Sequence, residues 1–425
     1  MNNLLSLLCG FLVYIAGVIA WSAVFGYPLG SVLCMFVYLV FVLMIPGVAA
    51  FYLLTGGKKD AITVCCGGVI TGLFLVLLDY FFSIFVLSPR FTGILILAIY
   101  IICAAAFSFR YKKNKGADAG YLKNALFGGR NQIGNVIFVA FIAVIVYLVF
   151  TVLRPYPGSA GASYDTDFLW HASNVSAIAR GFPLVSSEIS YPIVIRYHTL
   201  VYILAAHIAS LFRIHPSLVF LNYFWVLMSA LLVFSCGLML LRFKVKNIAI
   251  PLGIMLIIFG TGCSAVSWES INIFLSESYA LGLILLFLFV AFWEDLYVLT
   301  DEDSFAAVSS GVAIGLATAA KGSIGFILIV CLTLFNLTAI LKKRKKITIT
   351  VLLNFLSVWG IFAFFYLVFY GTDSGILRVG FFIEFDKWIS YNYVLRGMVD
   401  SMNLRHYCNP VAVGVYYMVY FIERV

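Results

Sequence analysis

A chain of 425 residues that is 64% hydrophobic and 11% charged has too little polar surface to enclose a soluble fold of that length. The composition therefore excludes a soluble domain and predicts an all-α polytopic membrane protein. The net charge of +9 lies mostly in short connections between apolar runs, which argues against a nucleic-acid surface and marks loops on the inner side of a membrane.

In chain order the apolar runs are 3–24, 31–54, 62–85, 92–109, 134–153, 217–241, 248–264, 276–293, 305–319, 323–341 and 347–370. Most are close to the ~20 residues that span a hydrocarbon core, and a shorter run at 410–422 begins another, so about 11–12 transmembrane helices are expected. The first run has no basic segment before it and is read as a retained helix. Lys58 and Lys59, the stretch from Arg110 to Arg130, Arg242 to Lys246, and Lys342 to Lys346 supply the inner loops. Eight of the nine cysteines lie in or beside apolar runs, and only Cys408 stands apart. They read as small buried hydrophobes; no zinc-type spacing, Walker A sequence or strand-linked GxGxxG is present.

With the basic loops inside, residues 154–216 become one large external loop, and 265–275, Ala320-Lys321-Gly322 and 371–409 are also external. Within the large loop Asp167, His171 and Asn174 recur at helical spacing, predicting a helix of about four turns. Asp165 or Thr166 caps its start, and Arg180-Gly181-Phe182-Pro183 ends it. Asp167 and His171, four residues apart, share a face and point together into one pocket. The plainer alternative makes Asp165 only a cap and the Asp167/His171 stripe only the wet side of an interfacial helix. The apolar run Tyr197–Phe212 is too short to cross and is expected to lie at the outer interface with a wet polar face. Asp79, near the outer end of run 62–85, is expected to snorkel to the interface, and His207 and His215 are expected to be packing or interface histidines.

Asp167-x-x-x-His171, Ala177-Ile178-Ala179-Arg180-Gly181-Phe182-Pro183, Tyr191-Pro192 and Arg196-Tyr197-His198-Thr199-Leu200 together resemble the first external loop of the GT-C superfamily. These are membrane glycosyltransferases that use polyprenyl-phosphate sugars. The resemblance spans roughly 131–341 and is diffuse outside 164–200. It implies a large first external loop with juxtamembrane helices, and a catalytic acid at the start of the first of them, by position Asp167, with Asp165 second. It also implies a second acidic motif, for which Glu269 and Glu277 are the candidates, each equally readable as a snorkelling glutamate. The carboxylate would deprotonate or orient the acceptor hydroxyl, or hold a divalent metal through Asp167 and Glu269. Lys321, an ionisable group between two apolar helices, is a candidate for the phosphate, or else an ordinary turn lysine. His171, Arg196 and His198 lie beside the carboxylates as substrate-binding candidates; Arg378, Arg396 and Arg405 are unspecific ones.

The expected organisation is an N-terminal accessory bundle with a basic linker over 1–130, then a GT-C-like core over 131–425 with external loop 154–216, shortened at its C-terminal end. The expected function is transfer of a sugar from a polyprenyl-phosphate carrier to a cell-envelope glycan, lipid or protein on the outer face of a bacterial plasma membrane. The alternatives are a lipid-linked-glycan transporter or polymerase, and a catalytically silent assembly protein. Membrane lipids, the lipid-phosphate sugar and the acceptor are the expected partners.

Overall fold

The computed structural model describes residues 2–56, 59–88, 91–113, 133–153, 166–185, 194, 198–245, 249–259, 276–292, 304–343 and 348–371. They form α1 (Asn2–Val24), α2 (Leu29–Leu54), α3 (Ala61–Phe85), α4 (Ile94–Lys113), α5 (Ile133–Leu153), α6 (Thr166–Ile178) and α7 (Leu200–Phe212). There follow α8 (Pro216–Arg242), α9 (Ile250–Phe259), α10 (Glu277–Ala291), α11 (Ser304–Ala320), α12 (Gly322–Lys343) and α13 (Ile349–Tyr370). Among the described residues the β-structure is a single antiparallel bridge between Val185 and Val194.

Helices α2, α3, α8 and α13 are each long and apolar enough to cross a membrane. Large apolar side chains stand exposed along the bundle, among them Leu97, Ile101 and Ile102 of α4 and Leu353 and Phe364 of α13. In a membrane these face lipid, whose tails are as apolar as they are. Among the described residues the fold is built from helices, that of a multi-pass membrane protein. Four such helices are fewer than the eleven runs read from the sequence, because the other apolar helices reach only 10–17 residues over their described parts.

The driving force for helix contact in lipid is close packing, and α2 and α3 meet backbone to backbone. A Cβ on Gly47 would lie 2.1 Å from the Gly68 carbonyl oxygen, and one on Gly72 would lie 2.2 Å from that of Leu43. Gly68 and Gly72 form a Gly-x-x-x-Gly pair that admits this approach. Gly47→Ala is therefore expected to cost about 1–3 kcal/mol by overpacking and to lower the thermal midpoint of the detergent-solubilised protein. Just ahead of this contact Pro46 has no N–H to give to the preceding turn, and α2 widens to π-helical geometry over Tyr38–Met44.

Polar side chains then fasten the apolar helices to one another. The Tyr14 hydroxyl donates to the Val226 carbonyl at 2.6 Å, Ser22 bonds Tyr147 at 2.9 Å, and the Trp21 indole donates to Thr151 Oγ1 at 2.7 Å. These join α1 to α8 and α5. Helices on both sides of residue 130 belong to one compact unit, Met1–Phe369.

One end of this unit is tied by Arg242. Its guanidinium donates to Asp60 Oδ2 at 2.9 Å and Oδ1 at 3.3 Å, to Thr63 Oγ1 at 2.7 Å, and through Nε to the Ala291 carbonyl at 2.7 Å. Asp60 also caps α3 by accepting from the Thr63 N–H at 2.8 Å. The start of α3 and the ends of α8 and α10 thus meet at one end, as the inner-loop reading of these positions requires. Asp60→Ala is expected to cost about 1–2 kcal/mol, mostly as a lost cap because the ion pair is half exposed, and a denaturation midpoint checks it.

The expectation of an interfacial α7 with a wet face is overturned. Every residue from Leu200 to Ala209 is buried, and α7 packs against α3, α6, α10 and α11. An apolar helix of thirteen residues is too short to span, but a core position suits that length as well as an interface does. Asp79 does not snorkel either. It is fully buried, and its Oδ2 accepts from His207 Nε2 at 2.8 Å, so His207 is the hydrogen-bond partner of a carboxylate rather than a packing histidine. Asp79 also accepts from the Gly93 N–H at 2.7 Å and the Leu95 N–H at 2.9 Å, capping α4 from another helix. Gly93 has φ +97, a conformation that side chains disfavour, which turns its N–H toward the carboxylate.

Candidate functional site

At the end of the unit opposite Arg242, α6 is the element that carries the resemblance. It begins at Thr166 and closes at Ile178, followed by the turn through Arg180 and Gly181. At 100° per residue, positions 167, 171, 174 and 178 fall within about 60° of one another on the helix. Asn174 and Ile178 are buried while Ser173 and Leu169 are exposed, so this face is turned into the protein. The polar stripe is therefore not the wet side of an interfacial helix. Apolar Leu169 takes the outside, while His171 bonds a neighbouring helix and Asn174 is buried.

His171 bonds the Tyr202 hydroxyl of α7 through Nδ1, and its ring lies 5.0 Å from Trp170 and 6.1 Å from Phe220. Tyr80 of α3 holds the end of α6 by donating to the Ile178 carbonyl at 2.8 Å. Ser217 bonds Ser176 at 3.1 Å, which fixes the other flank of α6 against the start of α8. Three elements thus set the rotation of α6, and with it where position 167 sits.

His198 stands just before α7 with its Nε2 buried. Burial first, then the charges of Lys321 and His171, push its imidazole down to about 2. His198 is consequently neutral at any physiological pH and works as a hydrogen-bonding group, not as a charge. Its folded value lies below the ordinary 6.5, so the stability linked to its neutral form is complete above about pH 6.5 and is lost as the pH falls below that. Relative to a His198→Gln variant, the native chain is expected to lose about 1.4 kcal/mol at about pH 5.5, read from paired unfolding curves.

Lys321, between α11 and α12, presses its Cβ toward Gly282 of α10, where an added methyl would come within 3.2 Å. Its charge reaches His198, so the end of α11, the start of α10 and the entry to α7 converge there. Glu277 opens α10 five residues before Gly282 and is buried, at 2% exposure. Ser276 caps that helix by accepting from the Tyr279 N–H at 3.3 Å. Of the expected site residues, the structure gathers His171, His198 and Lys321, and sets Glu277 at the same end of α10 as Lys321.

Asp165, Arg196, Glu269, Arg378, Arg396 and Arg405 lie outside the described residues. Asp167 is helical, but its side chain lies outside what is described, so the metal site expected from Asp167 and Glu269 does too. Among the described residues no three metal-binding side chains come together.

Two groups that the sequence reading did not assign to the site belong in its description. Asn174 Nδ2 and Thr199 Oγ1 are buried atoms with no hydrogen-bond partner among the described residues. Such atoms cost roughly 1–3 kcal/mol each unless a water or a guest satisfies them. Asn174 shares the face of His171, and Thr199 follows His198. Their signal was present in the spacing 167, 171, 174 and in the His198-Thr199 pair, yet only the inward rotation of α6 makes it count. Chemically, the cluster offers one cation, two imidazoles, an amide and a hydroxyl, a set suited to an anion carrying hydroxyl groups.

No family model, no curated protein and no solved structure matches the chain.

Proposed function

We propose that the chain is a membrane glycosyltransferase of the GT-C type, with about 11–12 spanning helices, acting on the outer face of a bacterial plasma membrane. It moves a sugar from a polyprenyl-phosphate carrier to a cell-envelope glycan, lipid or protein. The observation that carries this reading is the inward polar face of α6, which aligns position 167 with His171 and Asn174 and lies beside His198 and Lys321. In this reading Lys321 offsets the phosphate charge as it departs, His171 and His198 donate hydrogen bonds, and Asp167 takes the proton of the acceptor hydroxyl. Asp165, Arg196, Glu269 and Glu277 complete the site, with a divalent metal at Asp167 and Glu269 as the alternative use of those carboxylates.

Trp170, whose ring sits 5.0 Å from that of His171, reports occupancy of the site. Titration of the reconstituted protein with a polyprenyl-phosphate sugar should change its fluorescence, and Trp170→Phe should remove that change. Lys321→Met should weaken binding about tenfold to a hundredfold, the worth of one charge-assisted hydrogen bond. Equal affinity in the Lys321 variant would contradict the reading.

The transporter alternative has one observation in its favour. Asp79 and His207 form a buried hydrogen-bonded pair of ionisable groups inside the bundle, and such pairs in membrane proteins line ion and proton routes.

A further inference from the structure

The Asp79, His207 and Tyr38 side chains come from α3, α7 and α2, and each is essentially inaccessible to solvent. His207 Nε2 lies 2.8 Å from Asp79 Oδ2, and Nδ1 lies 3.0 Å from the Tyr38 hydroxyl. Both imidazole nitrogens are thus engaged by groups of different character. A carboxylate only accepts, whereas a phenol hydroxyl either donates or accepts.

Asp79 is fixed as an anion by its surroundings. The Gly93 and Leu95 N–H groups donate to it from the first turn of α4, where the helix dipole also favours negative charge. His207 Nε2–H must then donate to the carboxylate, which leaves Nδ1 as the atom whose state is free to differ. With a neutral ring, Tyr38 donates its proton to Nδ1 and every polar side-chain atom of this Asp79–His207–Tyr38 array has a partner. With an imidazolium, Nδ1–H donates to the Tyr38 oxygen and the ring charge balances Asp79, but the Tyr38 proton loses its acceptor. His207 is the one hydrogen-bond partner of that hydroxyl among the described residues. Hydrogen-bond count favours one state and charge balance favours the other, so neither is locked in.

We propose that His207 is a reversible proton-binding site inside the bundle, with Asp79 as its fixed counter-charge and Tyr38 as the partner whose hydrogen bond reverses when the proton arrives. The proton is taken from solvent onto Nδ1 and returned to it, and no other bond changes. Tyr38 opens the π-helical stretch of α2, so the reversal falls at the least regular turn of that helix. Other titratable groups on elements packed against α7 have partners or positions of their own. His171 is engaged with Tyr202, Tyr80 with the Ile178 carbonyl, and Glu277 opens α10 near Lys321, toward the His198 end of α7. On α3, Asp60 is held by Arg242 at the opposite end of the unit. The inference does not depend on the sugar-transfer reading.

Infrared difference spectroscopy of the protein in liposomes, taken between about pH 8 and about pH 5, tests it. A histidine ring band and a tyrosine ring C–O band should appear with one common midpoint. Tyr38→Phe keeps the ring that packs at 5.7 Å from His207 and 6.4 Å from Phe212, and should remove the tyrosine band while the histidine band remains. His207→Gln should remove both, whereas His215→Gln should leave both in place. Absence of a coupled tyrosine band in the native chain, or its persistence in Tyr38→Phe, would overturn the proposal. Should His207→Gln fail to fold, the Tyr38→Phe spectrum decides.

Discussion

Asp79→Ala is expected to be among the most destabilising single substitutions in the chain, costing about 3–5 kcal/mol and lowering the thermal midpoint in detergent by several degrees. The loss has two sources. Removing the carboxylate strands the His207 ring in an apolar interior with no acceptor at Nε2, and it leaves the Gly93 and Leu95 N–H groups at the start of α4 without their cap. Asp79→Asn should lose less, because an amide oxygen still accepts one of those bonds. A midpoint for Asp79→Ala equal to that of the native chain would show that the pair contributes nothing to the bundle.

Much of the architecture was legible in the sequence because it rests on local rules. Apolar length marked the helices, the basic loops grouped the ends now joined by Arg242, and spacing from Thr166 to Pro183 outlined α6 closely. What spacing does not encode is which way a face turns. Residues 167, 171 and 174 share a side of α6 whether that side meets water or protein, and the rotation is set by distant contacts with Tyr80, Tyr202 and Ser217. The Asp79–His207 pair was invisible for the same reason, since its members are 128 residues apart and each has an ordinary local explanation. Thirteen residues are too short to cross, and shortness alone does not separate a surface helix from the buried α7. Lys321 and His198 were named as separate candidates; their proximity emerges only from the packing of α10, α11 and α7.

The largest functional effect is expected at Asp167. By register it shares a side of α6 with His171 and Asn174, and among these three residues it alone carries a carboxylate, the stronger candidate for the base. Positioned proton transfer accounts for rate factors of about 10²–10⁴. An amide at 167 keeps size and polarity but cannot take the proton or hold a metal. Donor binding, which in this account rests on Lys321, should change little.

Sugar transfer from a polyprenyl-phosphate donor by the reconstituted chain, native against Asp167→Asn, measures this directly. The account predicts that the variant inserts and binds donor as the native chain does while transfer falls by about 10²–10⁴. Full transfer activity in Asp167→Asn would contradict it.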